Sequence, residues 1–251
     1  PGYSHEDLCE FLQNDPTPFK LILMPRYSFK SCVISIGRTL WRLMVDPNLR
    51  FLFYSDVNEK AESLLDGVKN HLLGRVAGST FRQRLGAWEV DPKRGVWNQQ
   101  EIVIRPRTTA HIESTIETAG METSKVMKHY DEILFDDLIT DKNVTTHDLI
   151  EKAKKVYRDS LSLLKPGGTL TMLGTPWDFN DLYAELQARE TERRLRGEEP
   201  LFAVYKRPAE VHGQYPFAAI GLTKAFLTQQ RTEQGSYTFS CLYHLEPVDA
   251  E

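Results

Sequence analysis

The short apolar run Leu21, Ile22, Leu23 breaks at Met24-Pro25-Arg26-Tyr27-Ser28-Phe29-Lys30-Ser31 and resumes at Cys32 to Ile36. A brief apolar run stopped by proline reads as a buried strand (Lys20 to Met24), and the longer segment from about Ser31 to Val45 reads as a helix. Its apolar residues Val33, Ile34, Ile36, Leu40, Trp41 and Met44 predict little polar face, as for a helix packed inside a layer. The order then repeats. Arg50 to Ser55 lacks alternation, so it reads as a strand buried on both faces, and a helix from about Asn58 to Leu73 follows. Strand, helix, strand, helix specifies an α/β fold with a mainly parallel central sheet and right-handed crossovers.

In such sheets sites form at the carboxyl ends of strands, so the polar residues found there carry the functional reading. In the loop, Lys30 and Ser31 match the end of the phosphate-binding pattern G-x-x-x-x-G-K-[ST], with Met24 and Phe29 at the two glycine positions. An ordinary strand-to-helix turn with an exposed lysine stands as the alternative. Tyr130-Asp-Glu-Ile-Leu-Phe-Asp-Asp137 is an apolar strand ending in two carboxylates. That arrangement suits one acid holding the water shell of Mg²⁺ and the next polarising an attacking water, although an Asp-rich turn explains it too. Thr169 to Trp177 is a third buried strand, ending on Thr175. Three polar strand-ends in this order describe a nucleoside triphosphate site for ATP and Mg²⁺.

The remaining chain fits one main domain of 251 residues. A hydrophobic content of 41%, a charged content of 26% and a net charge of −4 are those of an ordinary globular protein. No apolar run reaches membrane-spanning length, no signal peptide is visible, and Cys9, Cys32 and Cys241 lack metal-ligand spacing. Residues 3 to 13 read as a helix capped by Ser4, and 74 to 120 as a β-rich, antiparallel insertion. Thr145 to Leu164 reads as a helix stopped by Lys165-Pro-Gly-Gly168. A helix from about Asn180 to Leu195, a strand from Pro200 to Lys206 and a helix from Leu222 to Gln234, capped by Thr223 and stopped by Gly235, complete the chain. The arginines between Arg189 and Arg196 alternate with glutamates and read as a solvated helix face.

Two family resemblances compete. Leu163-Leu-Lys-Pro-Gly-Gly-Thr-Leu-Thr-Met-Leu is similar to the late strand of class I methyltransferases that use S-adenosylmethionine, but their Gly-rich first strand-end is absent here. More of the chain, His5 to about Pro247, resembles the N-terminal ATPase domain of the large terminase subunit of tailed bacteriophages. Pro25, Arg26, Lys30 and Ser31 fit its deviant P-R-x-x-x-K-[ST] loop. His129, Tyr130, Asp131, Ile133, Asp136 and Asp137 fit its Walker B stretch, with Asn143-Val144-Thr145 after it. Gly174-Thr175-Pro176-Trp177 fits its coupling motif, with Asp181-Leu182-Tyr183 following.

This resemblance implies a P-loop NTPase fold of the ASCE type, with a core of about 18–206 and an extension over 207–251. It implies ATP bound along Pro25, Arg26, Tyr27, Ser28, Phe29, Lys30 and Ser31. His5 would lie near the adenine, though a surface helix position explains it equally. Lys30 would neutralise the departing phosphoryl group, Ser31 and Asp136 would hold Mg²⁺, Asp137 would act on water, and Thr175 would sense the γ-phosphate. Arg26 would couple nucleotide state to motion. The segment Ser124 to His129, where such motors carry a trans-acting arginine finger, offers Lys125 and Lys128; Arg82, Arg84, Arg105 and Arg107 are the other basic choices. Two departures stand out: Phe29 occupies a glycine position, and Asp137 stands where many relatives have Glu. The implied partners are double-stranded DNA, a homo-oligomeric ring on a portal protein and a small terminase subunit, in the host cytoplasm with no membrane. A hydrolysis-deficient DNA-binding module is the other reading of the same motifs. The chain is expected to be a fragment ending before a nuclease domain, with Pro1-Gly2 a non-native leader.

Overall fold

The computed structural model describes residues 3–91, 93, 95–123, 125 and 127–248, and the side chains among them from His5 onward. The expectations for Pro1-Gly2, the Ser4 cap and Ser124 lie outside the described residues. The elements in order are α1 (Tyr3–Asn14), β1 (Phe19–Leu23), a π-helix (Cys32–Arg38) running into α2 (Thr39–Val45), β2 (Phe51–Ser55), α3 (Asn58–Leu72) and α4 (Phe81–Leu85). They continue with β3 (Glu101–Ile102), β4 (Ile116–Gly120), β5 (Tyr130–Asp136), α5 (His147–Ser160), β6 (Leu164–Gly174), α6 (Leu182–Leu195), β7 (Phe202–Lys206) and α7 (Lys224–Phe239). Seven strands form one sheet in the order β3-β4-β2-β5-β6-β1-β7. The pairs β1/β7, β2/β4 and β2/β5 are parallel, and only β3/β4 is antiparallel. Among the described residues no helix is long and apolar enough to cross a membrane.

The chain groups into two compact units: residues 1–30, 139–155 and 171–251, and residues 31–138 and 156–170. In the second unit, β2, β4 and β5 are buried along their whole length. The region 74–120 is not the antiparallel β-rich insertion expected. It holds the one-and-a-half-turn α4, the two-residue β3, and β4, which is a full member of the parallel sheet in register with β2 from Phe51↔Ile116 to Ser55↔Gly120. Glu117 hid that strand. It is fully buried in the middle of β4, where it accepts from Lys128 (2.6 Å), Lys125 (3.1 Å) and the Tyr130 hydroxyl (3.0 Å). Burial alone would raise its pKa, but the Lys128 bond, the Ser114 amide and the Lys125 charge outweigh that and hold it below its ordinary value.

The helix after the loop also differs from expectation. Trp41 and Met44 are on its exposed side, and the side facing β5 is polar. Glu132 and Asp136, four apart on β5, share a face of the strand. Arg38 pairs with Glu132 at 2.7 Å and Arg42 pairs with it too, while Ser35 donates to Asp136 at 2.6 Å and Ser31 donates at 3.0 Å. The helix is therefore laid along β5 by a ladder of hydrogen bonds and ion pairs, with Ile34, Leu40 and Leu43 filling the space beside it.

In the first unit, β1 and β7 pair over five residues. Lys165-Pro166-Gly167-Gly168 does not lie beyond a helix stop but within β6, and Gly235 kinks the final helix (φ 79°) without ending it. Thr223 caps that helix as read, accepting from the Phe226 amide at 3.3 Å.

Candidate functional site

The loop Met24 to Lys30 begins where β1 ends. The Ser28 amide donates to Pro25 O at 3.3 Å, closing a four-residue turn, and the left-handed Tyr27 (φ 65°) is what the third position of a type II turn requires. Phe29 is left-handed as well, at φ 59°. The glycine conformation of the phosphate-binding pattern is thus kept without the glycine. Phe29 is 55% exposed and Tyr27 61% exposed, so neither ring is packed into the loop. The cost is backbone strain of about 1–2 kcal/mol for each non-glycine residue held there. Phe29→Gly is accordingly expected to stabilise the fold by up to about 1 kcal/mol, the strain relieved being partly offset by about 0.5–1 kcal/mol of added chain entropy. Thermal unfolding of the variant checks this, and a lower midpoint would mean that the ring packs after all.

The loop is supported from below. His5 is buried on α1, its Nε2 2.7 Å from Ser28 O and its ring edge-on to Phe217, so the structure makes it a brace for the loop. The Arg26 amide donates to Leu242 O at 3.1 Å, and the Arg26 guanidinium lies over the Tyr27 ring. Lys30 is buried, with Nζ donating back to Met24 O at 3.4 Å, so its ammonium spans from the helix start to the loop start. The Met24 amide donates to Gly174 O at 3.4 Å, which places the buried Thr175 at the strand-end beside the loop. Asp181 holds the residues after Thr175, accepting from Trp177 N (2.9 Å), Asp178 N (3.3 Å) and, as helix cap, Ala184 N (2.9 Å).

In the second unit, Ser31 and Asp136 meet from positions 105 residues apart. Asp136 is buried; Ser31 donates to one of its carboxylate oxygens, Ser35 to the other, and Ser55 to its main-chain carbonyl at 2.7 Å. Asp137 follows in a left-handed conformation, φ 48°, which turns the chain out of the sheet. Ser35 and Ser55 went unread in the sequence. Ser35 was legible in principle, lying four residues and one helical turn beyond Ser31. Among the described residues no group of three or more His, Cys, Asp or Glu side chains gathers in one place. A hydroxyl and one carboxylate suit a hard cation that takes most of its ligands from phosphate and water.

The six basic residues considered for a trans-acting role separate by environment. Lys125 and Lys128 pair with the buried Glu117, Arg82 pairs with Glu89 at 2.6 Å, and Arg107 donates to Thr109 O at 3.0 Å. Arg84 and Arg105 are exposed.

No protein-family model matches the sequence, and no curated protein matches it. Solved structures do. The large terminase ATPase domain of Thermus phage P74-26 aligns over 99% of this chain and 94% of its own, at a TM-score of 0.60 and 12% identity. The large terminase of a thermophilic bacteriophage in complex with ADP aligns over 98% of this chain and 53% of its own, at 0.56 and 11%. The same terminase in complex with ATP-gamma-S aligns over 98% and 52%, at 0.51 and 10%. At such identities the likeness establishes the fold: this chain has the P-loop NTPase architecture of the phage large terminase ATPase domains.

Proposed function

We propose that the chain is an ATP-hydrolysing motor domain that drives double-stranded DNA into a viral procapsid. The observation that carries this reading is the hydrogen bond from Ser31 to Asp136, which joins the last residue of a lysine-bearing loop to the acid at the end of an apolar strand. The shared fold supports it, as do neighbours solved with ADP and ATP-gamma-S. In this reading the loop amides from Arg26 to Ser31 receive phosphate oxygens, and Lys30 neutralises charge on the transferring group. Ser31 and Asp136 are the protein's share of a Mg²⁺ shell, and the bound ion offsets charge on the phosphates. Asp137 orients the attacking water, Thr175 responds to the γ-phosphate, and Arg26 links nucleotide state to the extension over 207–251. His5 acts through the loop. The catalytic work is almost wholly positioning and electrostatics.

The domain works as one subunit of a ring on a portal, with a small terminase subunit as further partner. Exposed Arg84 and Arg105 are the basic groups best placed to reach a neighbouring subunit, because Lys125, Lys128 and Arg82 already serve ion pairs within the chain. Calorimetric titration with ATP·Mg²⁺ and, separately, with S-adenosylmethionine tests the ligand class. Saturable heat with ATP·Mg²⁺ alone is expected; heat with S-adenosylmethionine alone would replace the motor reading with the methyltransferase one. Binding of ATP·Mg²⁺ without turnover would leave a DNA-binding module that does not hydrolyse.

A further inference from the structure

The strand-end that presents Thr175 is tied to a second strand-end by one buried hydroxyl. Tyr183, fully buried on α6, donates to Leu173 O at 3.4 Å and accepts from the Ile139 amide at 3.4 Å. Ile139 lies two residues beyond Asp137 in the chain. Gly174 makes this contact possible: a Cβ there would lie 2.2 Å from the Tyr183 hydroxyl and 2.6 Å from two carbons of its ring. The residues on the far side of Thr175 are held separately, by Asp181 through the Trp177 and Asp178 amides and by the Tyr237 hydroxyl at Trp177 O. Thr175 therefore sits in a short segment whose main chain is gripped on both sides. The grip differs in kind. Asp181 makes charge-assisted bonds, whereas both Tyr183 bonds are near the long limit for a hydrogen bond, so a small displacement of either strand-end breaks one.

We infer that Tyr183 is a positioning residue, a shared hydroxyl that makes the Thr175 strand-end and the chain just beyond Asp137 move together. It touches neither nucleotide nor metal. Its consequence for turnover rests on the ATPase reading; the tie itself does not.

Tyr183→Phe keeps the ring over Gly174 and removes only the hydroxyl. Hydrogen exchange of peptides covering 137–141 and 173–177 is compared between the two proteins, together with steady-state ATPase kinetics. The expected result is exchange at Ile139 faster by about tenfold, the scale of one buried hydrogen bond, with faster exchange at 173–177. The turnover number falls by about tenfold while KM for ATP stays within about twofold, as for an interaction used after binding. Unchanged exchange at Ile139 overturns the tie. Faster exchange with an unchanged turnover number overturns the positioning role. A wild-type protein that binds no ATP and turns none over overturns the motor reading instead, and the exchange data still decide the tie.

Discussion

Asp136→Asn is expected to reduce ATP turnover by at least about 100-fold, the scale for losing one preorganised electrostatic partner, while leaving the folded state almost as stable as before. The two effects separate because of how Asp136 is held. Its partners are the hydroxyls of Ser31 and Ser35, and a hydroxyl can rotate to accept from an amide as readily as it donates to a carboxylate. The main-chain bond from Ser55 does not involve the side chain at all. The substitution therefore keeps shape and hydrogen bonding and removes one negative charge from the proposed cation site. The apparent Mg²⁺ requirement should rise with it. Lys30→Ala should lose turnover to a similar degree with an unshifted Mg²⁺ requirement, since Lys30 acts on phosphate and not on the ion. Steady-state assays over a Mg²⁺ series, with denaturant unfolding in parallel, make the comparison. Turnover within threefold of wild type in both variants would remove this loop and strand from the chemistry.

The strand-ends were legible because each joins an apolar run to residues of one chemistry: Lys30-Ser31, Asp136-Asp137, Thr175. What escaped was the polar work done inside the core. Hydrophobic patterning assumes that the buried face is apolar. The helix after the loop breaks that assumption by facing β5 with Ser31, Ser35, Arg38 and Arg42, so its apolar Trp41 and Met44 were placed on the wrong side. Glu117 breaks it in β4, and nothing local announces that Lys125 and Lys128 will neutralise it from the next loop. Lys165-Pro-Gly-Gly168 was misplaced for a related reason. It carries every sign of a helix stop, yet Lys165 pairs with the buried Asp131 of β5 and the segment is strand. Phe29 and Tyr27 show the reverse case, in which a conformation normally signalled by glycine is imposed on aromatic residues by the loop around them.

Gly120→Ala is expected to be the most destabilising of the small substitutions, at about 3 kcal/mol or more, the upper end for overpacking. Gly120 ends β4 opposite Ser55 of β2, and the start of α3 passes directly over it. A Cβ at this position would lie 2.4 Å from the Asn58 amide nitrogen, 2.9 Å from the Val57 carbonyl carbon and 3.1 Å from the Asn58 Cα. All three are main-chain atoms, so no rotamer change relieves the overlap; either β4 or the α3 start must move. Gly67 provides the contrast. Its added Cβ would meet Ile36 Cδ1 at 2.4 Å, the end of a flexible side chain, so Gly67→Ala should cost less and be largely restored by Ile36→Ala. No truncation at residue 57 or 58 should restore Gly120→Ala. Displacing Val57 and Asn58 also disturbs Ser55, which holds the Asp136 carbonyl, so residual turnover should fall further than the loss of folded protein accounts for. Denaturant midpoints for the two glycine variants and the Ile36 double variant, with turnover corrected for folded fraction, test the argument. A cost for Gly120→Ala below about 1 kcal/mol would show that β4 and α3 are not in main-chain contact, since a fixed overlap of this depth has no cheaper escape.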